Sequence, residues 1–248
     1  MNVILNVKKE NINLLKNIVR KLSVNINTIV LIVGKKRNKL YSITIMKTLD
    51  LFCGTKSFSK IADKYGYETH TLDILDKFNP TYLTDIMEWD YKQFPPGYFD
   101  IIWASPNCKD YSSLNFFCGD KDLTHSNNLI KRVLEIIEYY NPQYWYMENP
   151  QTGKLKDQDF MVGLPFNDID YCKYGYDYRK RTRVWNNNEN WDGNALCRKG
   201  SYCNSRVNRK HTGWNSWDFD KTKRKIIKWE DRISIPPALM EEIIIASA

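Results

Sequence analysis

The sequence predicts an α/β fold: an open, mostly parallel sheet with helices on both faces. Three observations predict it. From Thr48 onward, apolar segments of strand length alternate with stretches of helical periodicity, which is the order of β-α-β units. A hydrophobic fraction of 42% over 248 residues is enough to build a core for one domain or slightly more. The clusters of unusual polar composition fall where the apolar segments end, and open α/β sheets bind ligands at the carboxyl ends of their strands.

The elements follow in order. Thr48–Phe52 reads as the first strand, ends in Cys53-Gly54 and leads into a helix over Ser57–Tyr65, which Gly66 is placed to stop. Glu68–Leu72 reads as the second strand, ending at Asp73. Asp85 ends a third segment. Tyr98–Ala104, with Phe99, Ile101, Ile102 and Trp103, reads as a buried strand ending in Ser105-Pro106. Ser126 is placed to cap a long helix with Leu129, Val133, Ile136, Ile137 and Tyr140 on one face, and Asn141-Pro142 ends it. Tyr144–Met147 leads to Glu148-Asn149-Pro150, and Phe166–Lys173 and Arg183–Trp185 form a final pair of strands. Residues 1–47 read differently, as a basic extension in which Leu14, Ile18 and Leu22 suit one short amphipathic helix and Lys35–Lys39 a loop.

Composition excludes several classes. The longest aliphatic run, Ile29–Val33, is far shorter than the ~18 residues of a membrane span, and no secretory signal precedes the first strand. Six dispersed cysteines read as reduced thiols in a cytosol-like compartment, so the chain is expected in cytoplasm or nucleus and not outside the cell. The net charge of +8 is uneven. Residues 1–47 hold ten Lys/Arg against one acid, residues 48–175 twelve against nineteen, and residues 176–248 fifteen against nine. An acidic middle between basic ends points to a polyanionic partner such as nucleic acid, or else to a solvated basic surface.

Four clusters can carry chemistry. Asp50-Leu51-Phe52-Cys53-Gly54 joins a strand to a helix N-terminus, a corner suited to a nucleoside. Asp73, about twenty residues on, is placed to hold ribose hydroxyls, and Asp85 to accept from an adenine amino group; taken in isolation, each reads first as an ordinary helix cap. Ser105-Pro106-Asn107-Cys108 places a thiol on a loop past a buried strand, either as a nucleophile or as a structural cysteine. Glu148, at the end of the neighbouring strand, would lie beside that thiol and could donate to a ring nitrogen. Arg179, Arg181 and Arg183 alternate into a strand, so period two sets guanidiniums on one face.

Taken in order, the Phe-x-Gly corner at Phe52 and Gly54, the Pro-x-Cys loop, the Glu148-Asn149 dipeptide and the Arg181-x-Arg183 pair resemble the cytosine-C5 methyltransferase family. The resemblance runs from Thr48 to Ala246 and includes Arg232–Leu239, similar to the family's closing motif. In its compactness and wording it is most like methylases of large DNA viruses and phages. The resemblance implies a Rossmann-like, S-adenosylmethionine (SAM)-dependent fold with a mostly parallel seven-stranded sheet and a small basic target-recognition segment. It implies a SAM-binding catalytic domain at 48–185, a target-recognition segment at 186–230 and a C-terminal helix at 231–248 completing the first.

For the site, the resemblance implies SAM held by Asp50, Phe52, Gly54, Asp73, Asp85, Ile86, Ser105 and Pro106. Cys108 would attack C6 of a flipped cytosine, with Glu148 at N3 and the amino group, and Arg181 and Arg183 steadying the base and the loop. DNA is the implied partner of a monomer; RNA as substrate and a non-catalytic nucleic-acid-binding relic of the fold are the rivals.

The chain also departs from the family's pattern. Asn107 stands where a second proline is usual, and either loosens the loop or adds a donor beside the thiol; Lys56 replaces a glycine, Arg179 a glutamine and Ser234 an asparagine. Only about 45 residues separate Trp185 from Asp231. There Cys197, Cys203 and His211 fall among Arg198, Lys199, Arg206, Arg209 and Lys210. Their spacing is irregular, so no metal is assigned; the three stand as candidate zinc ligands, with Cys172 a distant fourth. Trp191, Trp214, Trp217 and Trp229 read as packing residues, one of which could stack on a base.

Overall fold

The computed structural model describes residues 2–6, 28–32, 40–43, 45–112, 122–194, 196–200, 202–207, 210–211 and 233–248. The helix expected around Leu14, Ile18 and Leu22, the Lys35–Lys39 loop, Cys118, Arg209, Trp214, Trp217 and Trp229 lie outside the described residues. What the first stretch does contain is strand: β1 (Asn2–Asn6), β2 (Thr28–Ile32) and β3 (Leu40–Ile43) form a sheet of their own in that order. The β-branched run Thr28-Ile29-Val30 favours this conformation.

The main sheet has seven strands: β4 (Lys47–Leu51), β5 (Glu68–Asp73), β6 (Tyr82–Leu83), β7 (Ile101–Ala104), β8 (Tyr144–Pro150), β9 (Phe166–Asp170) and β10 (Arg181–Asn186). Their spatial order is β6-β5-β4-β7-β8-β10-β9. The pairings from β6 to β8 are parallel, whereas β10 runs antiparallel between β8 and β9. The order reverses between β4 and β7, so the loops after these two strands open into one crevice.

Alternation along the strands assigns residues to two cores. Leu49, Leu51, Ile102, Ala104, Met147 and Trp185 face helix α2 (Thr124–Tyr140), which buries Ile130, Val133, Ile136, Ile137 and Tyr140. On the other face, Ile101, Trp103, Tyr146, Ile169 and Val184 meet α1 (Ser57–Lys64) and α3 (Pro237–Ala246). Helices thus cover both faces, as expected. Trp191 is buried in this second core.

Three elements differ from their sequence readings. Ser126 does not cap α2: the helix starts at Thr124, and the Ser126 hydroxyl donates to Asp110 Oδ2 at 2.6 Å. The Tyr98–Ala104 strand pairs only from Ile101, because Tyr98 N closes a turn on Pro95 O. Phe166–Lys173 is strand only to Asp170, after which Tyr171–Tyr174 makes a 3-10 turn. No helix among the described residues is long and apolar enough to cross a membrane.

Candidate active site

The corner after β4 is shaped by left-handed backbone. Phe52, Gly54 and Lys56 have φ of 57°, 46° and 59°. Lys56 therefore adopts the conformation that glycine takes readily, at a cost of order ~1 kcal/mol; its ammonium bonds Asn79 O. Lys56 offers α1 no side-chain cap. The cap comes from β4: Asp50 Oδ2 accepts from Ser59 N at 3.3 Å and from Ser59 Oγ at 2.8 Å. Burial pushes the Asp50 carboxyl up to about 7, against the pull of the Ser59 bonds and with a further push from Asp73. Cys53 is buried too, its thiol pushed up to about 12 by burial and by Asp50 and Asp73, which makes it inert.

Asp73 closes the same corner, accepting from Gly54 N at 2.9 Å and from Leu75 N at 2.9 Å. A side-chain carbon on Gly54 would meet only Phe52 O, at 3.9 Å, so the backbone faces open space there. Beside it Ile74 is 62% and Leu75 46% exposed, uncovered apolar surface that the sequence reading missed. A carboxylate, an open glycine edge and adjacent exposed apolar side chains fit a nucleoside with ribose hydroxyls and a flat base. Asp85 caps its own turn through Met87 N, and the Ile86 side chain is committed to the core.

The Cys108 loop is tied down on both sides. Ser105 N donates to Leu51 O and Ser105 Oγ accepts from Trp103 Nε1 at 2.7 Å. Asn149 Nδ2 donates to Pro106 O at 3.0 Å. Asn107 Oδ1 accepts from Lys109 N at 3.0 Å, an Asx turn across the cysteine, so its side chain acts as an acceptor and not as a donor beside the thiol. At the far end Asp110 accepts from Ser126, and Tyr111 OH donates to Asn127 Oδ1 at 2.8 Å. Gly153 permits the close approach of the β8 end to the Tyr111 backbone, because a side-chain carbon there would stand 3.2 Å from both Pro150 O and Tyr111 O. The half-buried Cys108 thiol is raised by burial, lowered by Lys180 and raised by Glu148.

Glu148, 5% exposed, ends β8. Its Oε1 accepts from Tyr171 OH at 3.0 Å and from Lys180 Nζ at 3.3 Å. Neither partner was singled out from sequence. Lys180 lies inside the basic run, on the opposite parity to the arginines, and period two could have pointed to it. Arg181 forms two bonds to Asp170, at 3.1 and 2.8 Å, and Arg183 two to Asp168, at 2.8 and 3.0 Å. These are cross-strand pairs in the β9–β10 register. The cationic group brought onto Glu148 is therefore Lys180.

A second cluster lies behind this one. Cys172, expected as a distant fourth, joins Cys197, Cys203 and His211, with all four ligand atoms within 4.8 Å of one another. The irregular spacing hid this: the turn after β9 carries Cys172 to the 197–211 segment.

Comparison with known proteins gives the following. Residues 46–179 match the family model described as C-5 cytosine-specific DNA methylase. The chain is 35% identical over 216 residues to the "Probable DNA (cytosine-5)-methyltransferase" of Frog virus 3 (isolate Goorha), covering 80% of this chain and 99% of that protein. Among solved structures it is similar to the Dnmt2 methyltransferase of S. pombe, with a TM-score of 0.42 and 13% identity, over 58% of this chain and about half, 49%, of that one.

Proposed function

Because this chain belongs to the C-5 cytosine-specific DNA methylase family and so is a DNA (cytosine-5)-methyltransferase, we propose that it works through a covalent adduct between Cys108 and a cytosine flipped out of the duplex. What carries the reading is convergence. Cys108 sits on the loop after β7, Glu148 ends the adjacent β8 and bonds Lys180 before β10, and Asn149 ties the β8 end to the Cys108 loop through Pro106 O.

Each residue has a role in this reading. The Cys108 thiolate adds to C6, breaking the C5–C6 double bond and moving its electron pair toward C5 and N3. Glu148 holds N3 and the amino group; both of its described donors use Oε1, which leaves Oε2 to face the base. Lys180 favours the thiolate and holds the carboxyl in place. C5 then takes a methyl group and gives up its proton to a base, and elimination of the thiolate restores the C5–C6 double bond. When bound, SAM supplies that methyl on a sulfonium. Phe52, Gly54, Asp73 and the turn at Asp85 and Ile86 would hold it, with Ser105 and Pro106 on the facing loop. Asp50 supports this corner from below. Arg181 and Arg183 act through the β9–β10 edge, where Asp170 and Asp168 fix them. The basic 186–230 segment would face DNA, and residues 231–248 would complete the catalytic domain.

The test is methyl transfer from labelled SAM to duplex DNA and, separately, to RNA, followed by nucleoside analysis. Label in 5-methylcytosine from DNA is expected. Cys108→Ser should abolish turnover and covalent trapping on 5-fluorocytosine DNA while keeping SAM affinity within a few-fold. Turnover surviving in Cys108→Ser overturns the mechanism, label only in RNA reassigns the substrate, and no label in either makes the chain a binding relic.

A further inference from the structure

Outside the methyl-transfer site, the described residues bring together one set of side chains that methyl transfer does not use. Cys172, Cys197 and Cys203 are 4%, 0% and 8% exposed and pack as a cluster of their own. None is in a disulfide. His211, on the short hairpin β11 (Arg206–Val207) and β12 (Lys210–His211), turns Nε2 toward two of the thiols, 3.6 Å from Cys197 Sγ and 3.7 Å from Cys203 Sγ.

We propose that Cys172, Cys197, Cys203 and His211 form a structural zinc site that fastens the 197–211 segment to the turn after β9.

The distances support this directly. Zinc bonds of ~2.3 Å to sulfur and ~2.05 Å to imidazole nitrogen in a tetrahedron put sulfur and nitrogen about 3.6 Å apart and two sulfurs about 3.8 Å apart. The two sulfur–nitrogen separations sit at that value, and no edge exceeds 4.8 Å. A cluster packed only as apolar thiols has no reason to aim an imidazole nitrogen at two sulfurs at once. Four protein ligands close the coordination sphere, and three soft thiolates with one imidazole select zinc over magnesium or calcium.

The surroundings suit the same role. Three thiolates and a divalent ion leave one net negative charge, which the fields of Lys173, Arg179 and Arg206 favour and that of Asp170 opposes. The segment is held beside the site by further bonds. Cys197 N donates to Asp170 Oδ2 at 2.8 Å, Lys173 Nζ to Tyr202 O at 2.6 Å, and Ser205 Oγ to Tyr176 O at 2.6 Å. Polar contacts of this kind keep ligating residues oriented. The placement also has a consequence for the chemistry. Cys172 directly follows Tyr171, which holds Glu148, and Asp170 holds both Cys197 N and Arg181. The metal would therefore set the position of the basic segment and of the turn behind the catalytic carboxyl together.

The experiment needs no methylation assay. The full chain, purified without chelator from cells grown with zinc, is analysed for metal by elemental analysis. About one zinc per chain is expected. Cys197→Ser and His211→Ala should each lower zinc to background, while Cys53→Ala should keep it. Because a ligand variant can fail to fold, the wild-type chain is also stripped of metal and loaded with cobalt(II). Intense visible absorption of four-coordinate cobalt with a thiolate charge-transfer band is expected. Zinc at background together with a weak, six-coordinate cobalt spectrum overturns the proposal. So does a thiol count in the unfolded, metal-free protein two short of the six cysteines, which would mean a disulfide in the cluster, or equal loss of zinc in Cys53→Ala.

Discussion

Asp50 predicts a measurable pH dependence of stability. Its carboxyl is 2% exposed and raised from 3.8 to about 7, chiefly by burial. Below pH 3.8 folded and unfolded chains both hold the proton, and Asp50 contributes no slope. Between pH 3.8 and about 7 the unfolded chain releases the proton while the folded chain keeps it, so stability falls as pH rises. Above about 7 both forms are ionised and the loss stays constant. A shift of about three units at ~1.4 kcal/mol each gives a loss of about 4 kcal/mol, or roughly 10 °C in Tm for a chain of this size. Asp50→Asn removes the titration and keeps an oxygen that can accept from Ser59 N and Oγ. The new amide N–H group needs a partner, and its cost of ~1–3 kcal/mol if unmet does not depend on pH. Denaturant unfolding of both proteins from pH 4 to 8.5 isolates the Asp50 contribution as a difference. The variant should gain on wild type steadily to about pH 7 and then run parallel. A flat difference across that range would mean that Asp50 is ionised throughout, and would refute burial as the controlling influence.

Three other outcomes follow from the site. Glu148→Gln should lower kcat on the order of 10²-fold with little change in KM, because the carboxyl is needed as charge develops on the base; a change confined to KM would remove it from the chemistry. Lys180→Met removes the cation that lowers the Cys108 thiol, so the rising limb of the kcat/KM–pH profile should move to higher pH, and an unmoved limb would sever Lys180 from Cys108. Neutralising Arg198, Lys199, Arg209 and Lys210 together should reduce the log–log salt slope of DNA binding by up to about three units, at ~0.9 per lost phosphate contact. An unchanged slope, with binding lost instead on removal of residues 1–45, would make the N-terminal stretch the DNA-binding arm.

The parts of the fold legible in sequence are those set by local periodicity. Thr48–Phe52 and Tyr144–Met147 are largely apolar runs cut off by turn residues, Glu68–Leu72 is a short run between Gly66 and Asp73, and the chemical clusters stand at their ends. What escaped depends on contacts between distant segments. Nothing near Ser57 announces that its helix is capped from Asp50, so Asp50 read as a ligand residue. The Arg179–Arg183 run gave its alternation but not which parity faces Glu148, and the arginines went to Asp168 and Asp170 while Lys180 reached the carboxyl. Cys172 stood apart from Cys197 because twenty-four residues lie between them, and the turn after β9 closes that interval only in three dimensions.

The packing of α1 on α3 bears on how the chain is made. Phe58, Ile61 and Ala62 are covered by Leu239, Met240, Ile243 and Ile244, and Ser57 Oγ accepts from Ile235 N across 178 residues. At about 5–20 residues per second, ribosomes need roughly 10–35 s to travel that interval. For that time α1, the helix after the β4 corner, lacks its α3 cover, although Phe58 can already stack on Trp103. The nascent chain can assemble most of its α2 side first, since β4, β7, α2 and β8 are all made by Pro150 and only Leu155, Met161 and Trp185 of that core's buried residues follow. The corner after β4 should thus be among the last regions to become rigid during synthesis, and a chain halted before Ile235 should present the α3-facing side of α1 to chaperones.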